Sequence, residues 1–293
     1  MPSERPRIML LIAPSSYRGE AFSRAARRLE IEVVPVIDLP EQLADERAYR
    51  HAIDFRDIES AASWIERFHV EQPLTAVLSV DDSATELAAV ASDRIGLPAN
   101  DPRAAQAARD KFVMRTMLRE AGVKCPEFRL IDISGEAVDI PTDLRYPVVV
   151  KPRRLSGSRG VIRANDETEL RAAIRRVRAI LDAEGEASGA STLLVESYLP
   201  GVEVAVEGVI DAGQLQVLAI FDKPDPLEGP YFEETIYVTP SRLSAHVQER
   251  IAEETAAAAA ALGLRNGPIH AELRIHDDRA WLLEIAGRSI GGL

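Results

Sequence analysis

Two runs of alternating residues near the C-terminus constrain the fold of this chain most strongly. Apolar residues occupy every second position in both runs: Ala271, Leu273 and Ile275 in the first, Trp281, Leu283 and Ile285 in the second. Such alternation predicts strands that each bury one face. A hairpin centred on Asp278 pairs these apolar residues with one another, 271 with 285, 273 with 283 and 275 with 281. A slip of one residue would oppose apolar and polar side chains, so the register is well specified.

The same register places Glu272 directly opposite Glu284 on the other face of the hairpin. Two like charges in this position repel each other. A divalent cation between them removes the repulsion, and Mg²⁺ takes carboxylate oxygens together with the phosphate oxygens of a substrate. We therefore interpret the pair as candidate metal ligands. Two solvated glutamates on an exposed sheet face are the alternative.

Strand and helix patterns alternate over the first hundred residues. Strands are predicted at 8–13, 31–37 and 75–80, and helices at 20–29, 58–68 and 83–95. This order predicts a parallel sheet in a Rossmann-like unit. Because no G-x-G-x-x-G motif follows the first strand, we expect no dinucleotide site there. Asp81 and Asp82 end the third strand, where α/β sheets often bind ligands, although a helix cap and turn is the simpler interpretation.

A second candidate site follows the break at Gly96-Leu97-Pro98. A helix is predicted over 102–121 and a strand over 148–151, and the segment 152–161 is then rich in Gly, Ser and Arg. A lysine at the end of a strand, followed by such a loop, offers a positive charge and backbone N–H groups to phosphates. Since the motif G-K-[ST] is missing and the chain next forms a short strand at 160–164, we predict a flap between antiparallel strands. An ordinary hairpin loop is the alternative.

The remaining pattern indicates a mixed α and β region. A helix over 167–181, capped by Asn165 or Asp166, is followed by a flexible connection at 184–191. One strand then ends near residue 197, and a second spans 202–210. A polar loop at 222–230, a helix over 245–262 and the final hairpin complete the chain. Lys223 or Glu233 could meet a substrate in this polar loop, but a surface loop is the simpler interpretation.

Bulk composition excludes several classes of function. The 293 residues suit two or three lobes, and the net charge of −12 with no basic stripe argues against a nucleic-acid partner. The chain has one cysteine, Cys125, so no intrachain disulfide can form. No apolar stretch approaches the ~18 residues that a membrane span requires, and no signal-peptide pattern is present. We therefore expect a cytoplasmic protein without a membrane partner.

Six motifs, in this order and spacing, resemble those of the ATP-grasp superfamily, especially its carboxylate–amine ligase branch. They are Arg109-Asp110-Lys111, Val149-Val150-Lys151-Pro152, the loop 156–161, Val195-Glu196-Ser197-Tyr198-Leu199-Pro200-Gly201-Val202-Glu203, Gly267-Pro268-Ile269-His270-Ala271-Glu272 and the segment 283–292. The resemblance implies an α/β protein with a Rossmann-like pre-ATP-grasp domain at 1–100 and a two-lobed α+β ATP-grasp domain. The small lobe with the phosphate flap would span 101–194, and the large lobe with the metal site 195–293. Relatives usually continue beyond Arg-x-x-Gly-Gly, so we expect an incomplete C-terminus at Leu293.

The resemblance also implies roles for single residues. Lys111 and Lys151 would bind the phosphates of ATP, and Glu203 would bind its ribose. The adenine would lie against Glu196, Tyr198 and Leu199. The flap residues that would close over the phosphates are Ser156, Gly157, Ser158, Gly160 and Val161. Glu272 and Glu284 would bind Mg²⁺ or Mn²⁺. Arg288 would act with Lys151 in catalysis by steadying the acyl phosphate or the substrate carboxylate. One position departs from the family pattern, since Ala286 stands where an asparagine ligand is usual, so a second Mg²⁺ would bind weakly or through water.

The implied function is an ATP-dependent ligation of a small-molecule carboxylate to an amine through an acyl phosphate, with release of ADP and phosphate. A biotin-carboxylase-like enzyme that couples ATP cleavage to bicarbonate shares the same ATP site and is the first alternative. A nucleotide-binding module without turnover is the second. A homodimer is considered as the assembly, although no residue pattern indicates it.

Overall fold

The computed structural model describes residues 5–14, 16–39, 50–135, 138–185, 191–233 and 235–291. The strands are β1 (Arg7–Ile12), β2 (Glu32–Asp38), β3 (Ala52–Ile53), β4 (Ala76–Ser79), β5 (Phe128–Asp132), β6 (Val148–Lys151), β7 (Ile162–Ala164), β8 (Thr192–Ser197), β9 (Val202–Asp211), β10 (Gln214–Lys223), β11 (Gly267–His276) and β12 (Arg279–Ala286). The helices are α1 (Gly19–Arg28), α2 (Ile58–Glu71), α3 (Thr85–Arg94), α4 (Pro102–Arg109), α5 (Lys111–Glu120), α6 (Glu167–Ala183) and α7 (Ala245–Leu262). Most of the predicted connection at 184–191, and Gly292 of the last motif, lie outside the described residues.

The first sheet confirms the predicted α/β unit. Its order is β3-β2-β1-β4, and all of its strand pairs are parallel. Helices α2 and α3 cover one face, where Met9 and Leu11 of β1 share a buried cluster with Ile65 and Leu87. Because the strands are parallel, their carboxyl ends lie along one edge, and the turn Asp82–Ala84 follows β4 there.

The second sheet is antiparallel and has the order β5-β8-β6-β7. Helix α6 begins behind Asp166, whose carboxylate accepts the Glu169 N–H, and it packs on this sheet through Leu170 and Ile174. The predicted lobe boundary at 194/195 falls inside β8. Strand β5 was missing from the prediction, since its five residues carry a weak pattern.

The third sheet is also antiparallel and has the order β10-β9-β11-β12. Helices α4, α5 and α7 supply the apolar residues that cover its buried face, among them Met114, Leu118 and Ile251. Strand β10 was missing from the prediction because a register shift between Val217 and Ala219 interrupts its alternation. Across the described part of the chain, no helix has both the length and the apolar character needed to cross a bilayer.

The single helix predicted over 102–121 is wrong, because the chain forms two helices that meet at Asp110. This residue has extended backbone angles, with φ −108° and ψ 104°, and its carboxylate accepts the N–H groups of Phe112 and Val113. It caps α5 in this way and also forms a 2.6 Å ion pair with Arg153. The break therefore orients Lys111, the first residue of α5.

The predicted hairpin forms, and Glu272 lies directly opposite Glu284. The two residues between the strands, Asp277 and Asp278, both have positive φ, 50° and 56°. This is the geometry of a tight two-residue turn, in which Asp tolerates the left-handed conformation. The register changes by one residue between this turn and the glutamates, and beyond them it continues with the pairing of Ala271 with Ile285.

Between the glutamates and the turn, the predicted pairing is wrong. The register shifts after Glu272, so that Leu273 pairs with Leu282 and Ile275 pairs with Ala280. The extra residue forms a bulge in β12. As a result, Leu282 is buried in the core while Leu283 lines a cleft on the same side as Glu284.

Gly201 connects the second sheet to the third, between β8 and β9. Its φ is +109°, and a Cβ at this position would lie 2.1 Å from the carbonyl oxygen of Ile275. We expect Gly201→Ala to lower the free energy of unfolding by about 3 kcal/mol or more, because backbone strain adds to a clash with an immobile backbone atom. Urea and thermal denaturation measure this loss.

Gly122→Ala is the matched control, since Gly122 also has a positive φ, +74°, but nothing lies within 4 Å of the position that its Cβ would take. This variant should lose only about 1 kcal/mol, the cost of a left-handed alanine. Equal losses in the two variants would contradict the close approach at Gly201.

Candidate functional site

A cleft of about 900 Å³ opens between the three sheets and collects nearly all of the predicted site residues. The predicted residues along its wall are Lys111, Lys151, Ser156, Gly157, Ser158, Val161, Glu196, Tyr198, Leu199, Glu203, Glu272, Glu284 and Arg288. Gly160 is the exception, since it is buried beside Pro152, where a Cβ would lie 2.8 Å from the proline ring. It lets the loop pass close to Pro152, and its role in binding ATP stays a prediction.

The segment 152–161 connects the antiparallel strands β6 and β7, as predicted for a flap. Gly157 and Ser158 have positive φ, 67° and 53°, which turns the chain sharply at the tip. Lys111 reaches the base of the loop, and its Nζ donates to the carbonyl oxygen of Leu155 over 2.7 Å. Two lysine ammonium groups, those of Lys111 and Lys151, therefore line the cleft near a short polar loop.

Glu196 lies beneath this loop in a fully buried ion-pair group. Its carboxylate contacts Arg115 Nε at 2.6 Å and Lys151 Nζ at 2.7 Å. Burial alone would raise the pKa of the Glu196 carboxyl, but the charges of Arg115 and Lys151 outweigh it and hold the pKa below its usual range. Both carboxylate oxygens of Glu196 thus bind protein cations, and its predicted place beside adenine, partly through backbone groups, stays a prediction.

Tyr198 and Leu199 follow at the end of β8 and form one end of the cleft. The guanidinium of Arg163 lies 4.1 Å from the centre of the Tyr198 ring, and that of Arg274 lies 5.4 Å from it. Arg274 also donates to the carbonyl oxygen of Leu199 over 2.8 Å. The ring therefore contacts two guanidinium groups, which stabilises its position in this wall.

Lys223 joins two carboxylates of the third sheet. Its Nζ lies 2.8 Å from Glu203 and 2.8 Å from Glu272. The residue ends β10 and is buried, so its interpretation as part of a surface loop was wrong. Glu203 is held further by Arg274 Nε at 3.1 Å. One lysine thus links the residue predicted for the ribose with a residue predicted for the metal.

His270 lies between Glu207 and Glu272. Its Nδ1 is 2.6 Å from a Glu207 oxygen, and its Nε2 is 3.5 Å from Glu272. Burial lowers the pKa of His270, but the bonds to the two carboxylates outweigh burial and raise it to about 9. For Glu272 the effects have the opposite signs. Burial raises the pKa of its carboxyl, but the positive charges of Lys223 and His270 outweigh burial and hold this pKa well below its usual range. Near neutral pH, both groups are therefore charged.

The residues present fit a metal ion that brings phosphate ligands with it. Glu272 and Glu284 line the same cleft as neighbours on paired strands, and Glu284 lies 3.4 Å from Lys111. Within the described ranges, no group of three or more His, Cys, Asp or Glu side chains is arranged to hold a metal. Mg²⁺ commonly binds one or two carboxylates and completes its shell with water and substrate phosphates, so two glutamates suffice. Ala286 is buried and offers no side-chain ligand.

The first sheet contributes charged residues that sequence reasoning largely missed. Asp82 forms a 2.6 Å ion pair with Arg288, and Arg18 forms one of 2.7 Å with Asp81. The turn predicted at the two aspartates forms, with Asp81 at its N-cap position, but Asp81 makes no side-chain capping bond. Burial alone would raise the pKa of Asp82, but the charge of Arg288 lowers it, and in return Asp82 raises the pKa of Arg288. The position of both aspartates at a strand end was the one available signal.

The chain spans about half the length of the curated relatives that it matches. Alanine–anticapsin ligase of Bacillus subtilis is 28% identical over 219 residues, which cover 69% of this chain and 46% of the relative. Dapdiamide A synthase of Enterobacter agglomerans is 26% identical over 259 residues, which cover 86% of this chain and 58% of that protein.

A solved structure of similar shape is the L-amino acid ligase from Bacillus licheniformis, with a TM-score of 0.77 and 27% sequence identity. The match covers 99% of this chain and 68% of that one. The family model of the ATP-grasp N-terminal domain matches residues 23–99, and that of the ATP-grasp domain matches residues 144–293, more than half of the chain. The chain therefore belongs to the ATP-grasp domain family.

Proposed function

We propose that the protein is an ATP-dependent ligase that joins a carboxylate to an amine as an amide or peptide bond. One observation carries the proposal: two lysines, two opposed glutamates and an arginine from different elements face one cleft. This set can bind a polyphosphate, hold a divalent cation and pair with a carboxylate. The ligase names of the relatives support the same reaction class.

ATP would bind along the cleft in a defined direction. Lys111, Lys151 and the loop 156–161 would hold the phosphates, and Tyr198 with Leu199 would flank the adenine. Glu203 would accept hydrogen bonds from the ribose hydroxyls. The Glu196 carboxylate would act indirectly, because its 2.7 Å ion pair keeps Lys151 in place. Glu272 and Glu284 would hold Mg²⁺ or Mn²⁺, which supplies neutralisation of phosphate charge when bound.

The chemistry needs positioning more than covalent catalysis. The substrate carboxylate attacks the γ-phosphorus of ATP, ADP leaves, and an acyl phosphate forms. The amine then attacks the acyl carbon and loses a proton to solvent, and phosphate leaves with the electron pair of the broken C–O bond. Arg288 would pair with the carboxylate and then with the acyl phosphate. Burial raises the pKa of the Cys125 thiol, which makes this cysteine a poor nucleophile at neutral pH.

The carboxylate and the amine are proposed as small molecules of unspecified structure. The cytoplasmic location and the homodimer stay predictions. The carboxylase and the module without turnover remain as alternatives, and the assay that follows separates both from the ligase.

We expect ADP release that requires Mg²⁺, a carboxylate and an amine, when pooled amino acids and small carboxylates are supplied with ATP. Glu284→Gln removes one of the two opposed charges and should lower the rate of ADP release by about 100-fold. Replacing a residue that only supports a metal ligand already lowers activity by up to about 100-fold, so the loss of a ligand should cost at least as much. Asp278→Asn is the control, since it lies in the turn of the same hairpin and keeps a residue that tolerates positive φ. ADP and AMP are quantified by chromatography.

AMP as the product would contradict the acyl-phosphate route. ADP release that depends on bicarbonate and needs no amine would identify a carboxylase. Tight ATP binding without any turnover would leave the non-catalytic module.

Asp82 competes with the substrate carboxylate for Arg288 in this proposal, because its 2.6 Å ion pair occupies the guanidinium. Asp82→Asn should therefore lower the KM for the acid about two- to fivefold, as expected from the loss of one partly exposed ion pair. Steady-state kinetics at saturating ATP measure the change. Glu86→Gln, which alters a nearby ion pair with Arg109, should leave this KM unchanged. A higher KM in Asp82→Asn would mean that Asp82 orients Arg288 instead of competing for it.

A further inference from the structure

Glu207 makes two contacts that join distant parts of the cleft. It lies directly opposite His270 on the neighbouring strand, and one of its oxygens is 2.6 Å from His270 Nδ1. Its second oxygen accepts the backbone N–H of Ile290 over 2.9 Å. Each carboxylate oxygen therefore serves a different partner.

His270 extends this connection to the proposed metal ligand. Its Nε2 lies 3.5 Å from Glu272, so that the imidazole joins Glu207 on β9 to Glu272 on its own strand. Both side chains are largely buried, since His270 is 7% exposed and the Glu207 side chain is 14% exposed. Side chains packed in this way have few alternative orientations, so the position of Glu207 affects that of Glu272.

Ile290 belongs to the segment that carries Arg288. After β12, residues 287–291 form neither strand nor helix, so their backbone is held by contacts from other elements. Arg18 donates to the carbonyl oxygen of Ile290 at 2.9 Å and to that of Ser289 at 3.2 Å. Glu207 supplies the contact from the third sheet, through the Ile290 N–H.

We propose that Glu207 is a positioning residue that sets the location of Arg288 relative to Glu272. The proposal rests on the proposed function, in which Glu272 serves the metal and Arg288 the acid. Through His270, Glu207 fixes the metal side of the cleft, and through Ile290 it fixes the acid side. Glu207 itself touches neither substrate, so its loss changes the geometry of two groups without removing either.

A purely structural role is the competing explanation. A buried ion pair contributes weakly to stability when compared with apolar residues of the same size, so stability alone does not require Glu207 and His270 at these positions. The structural role predicts a lower melting temperature with unchanged ligand affinities. The positioning role predicts altered affinities at both ends of the cleft.

Glu207→Ala and Glu207→Gln test the proposal in the full chain. We expect the Ile290 N–H, bonded to Glu207 in the wild type, to exchange faster in Glu207→Ala, and the Mg²⁺ concentration needed for half-maximal ATP binding to rise about tenfold. Hydrogen exchange with mass spectrometry and titration calorimetry measure these changes, and neither requires turnover. The KM for the acid should rise by a similar factor, while ATP affinity without Mg²⁺ stays within about twofold.

Glu207→Gln keeps one acceptor oxygen for Ile290 and should restore the exchange protection and part of the acid KM. It also keeps the test valid if the alanine variant fails to fold. Glu254→Gln is the control, because Glu254 forms a 2.9 Å ion pair with Lys124 away from the cleft and should change none of these quantities.

Loss of Ile290 protection with unchanged Mg²⁺ dependence and unchanged acid KM would overturn the proposal. So would a melting temperature that falls while every affinity is preserved. If the wild-type chain shows no carboxylate-dependent ADP release, the proposed ligase function fails, but Mg²⁺-dependent ATP binding and exchange at Ile290 still test the coupling.

Discussion

The guanidinium group of Arg115 is completely buried, and it holds together the two walls of the cleft. It pairs with Glu196 on β8 of the second sheet and donates to the carbonyl oxygen of Leu283 on β12 of the third. An isolated charge at this depth would be strongly destabilising, so the position of Arg115 is tolerated only with both partners in place. Because Glu196 also binds Lys151, the Arg115–Glu196 pair determines the position of Lys151 at the end of β6.

Ion pairs between residues of different elements recur throughout the cleft. Lys111 lies beside Glu284, Lys223 beside Glu272, and Arg288 beside Asp82. Each of these charged groups therefore has an internal partner, with which a ligand of the same charge would compete. Such pairing keeps the charges satisfied in the absence of ligand, and it favours ligands that offer the opposite charges at matching positions.

Local patterns were sufficient to predict most of the regular elements and the paired glutamates, but not β5, β10 or the helix break at Asp110. The alternation in both runs predicted the opposition of Glu272 and Glu284, and the structure keeps it because the bulge in β12 offsets a turn centred between Asp277 and Asp278 instead of on Asp278. It could not predict the bulge at Leu283, because a bulge adds one residue without a change in composition. The helix break at Asp110 was missed although its capping bonds to Phe112 and Val113 are local, and its ion pair with Arg153 of another element could not be predicted from the local pattern.

The long-range partners were beyond sequence reasoning. Arg115 and Glu196 are separated by 81 positions and Arg18 and Asp81 by 63, and a buried arginine on an amphipathic helix looks like a surface residue. The lysines and glutamates of the cleft could be named because the six motifs carry them. Glu207 lies in none of these motifs.

The contacts that Tyr17 and Arg18 make with residues 289–291 have a consequence for how such chains can be recombined. The N-terminal unit is a separate sheet with its own core, which would suggest a module that can be exchanged freely. Its loop after β1 and the aspartates after β4 nevertheless shape the end of the cleft where Arg288 lies. A chimera that keeps its specificity must therefore inherit these loops and the segment 287–291 from the same parent.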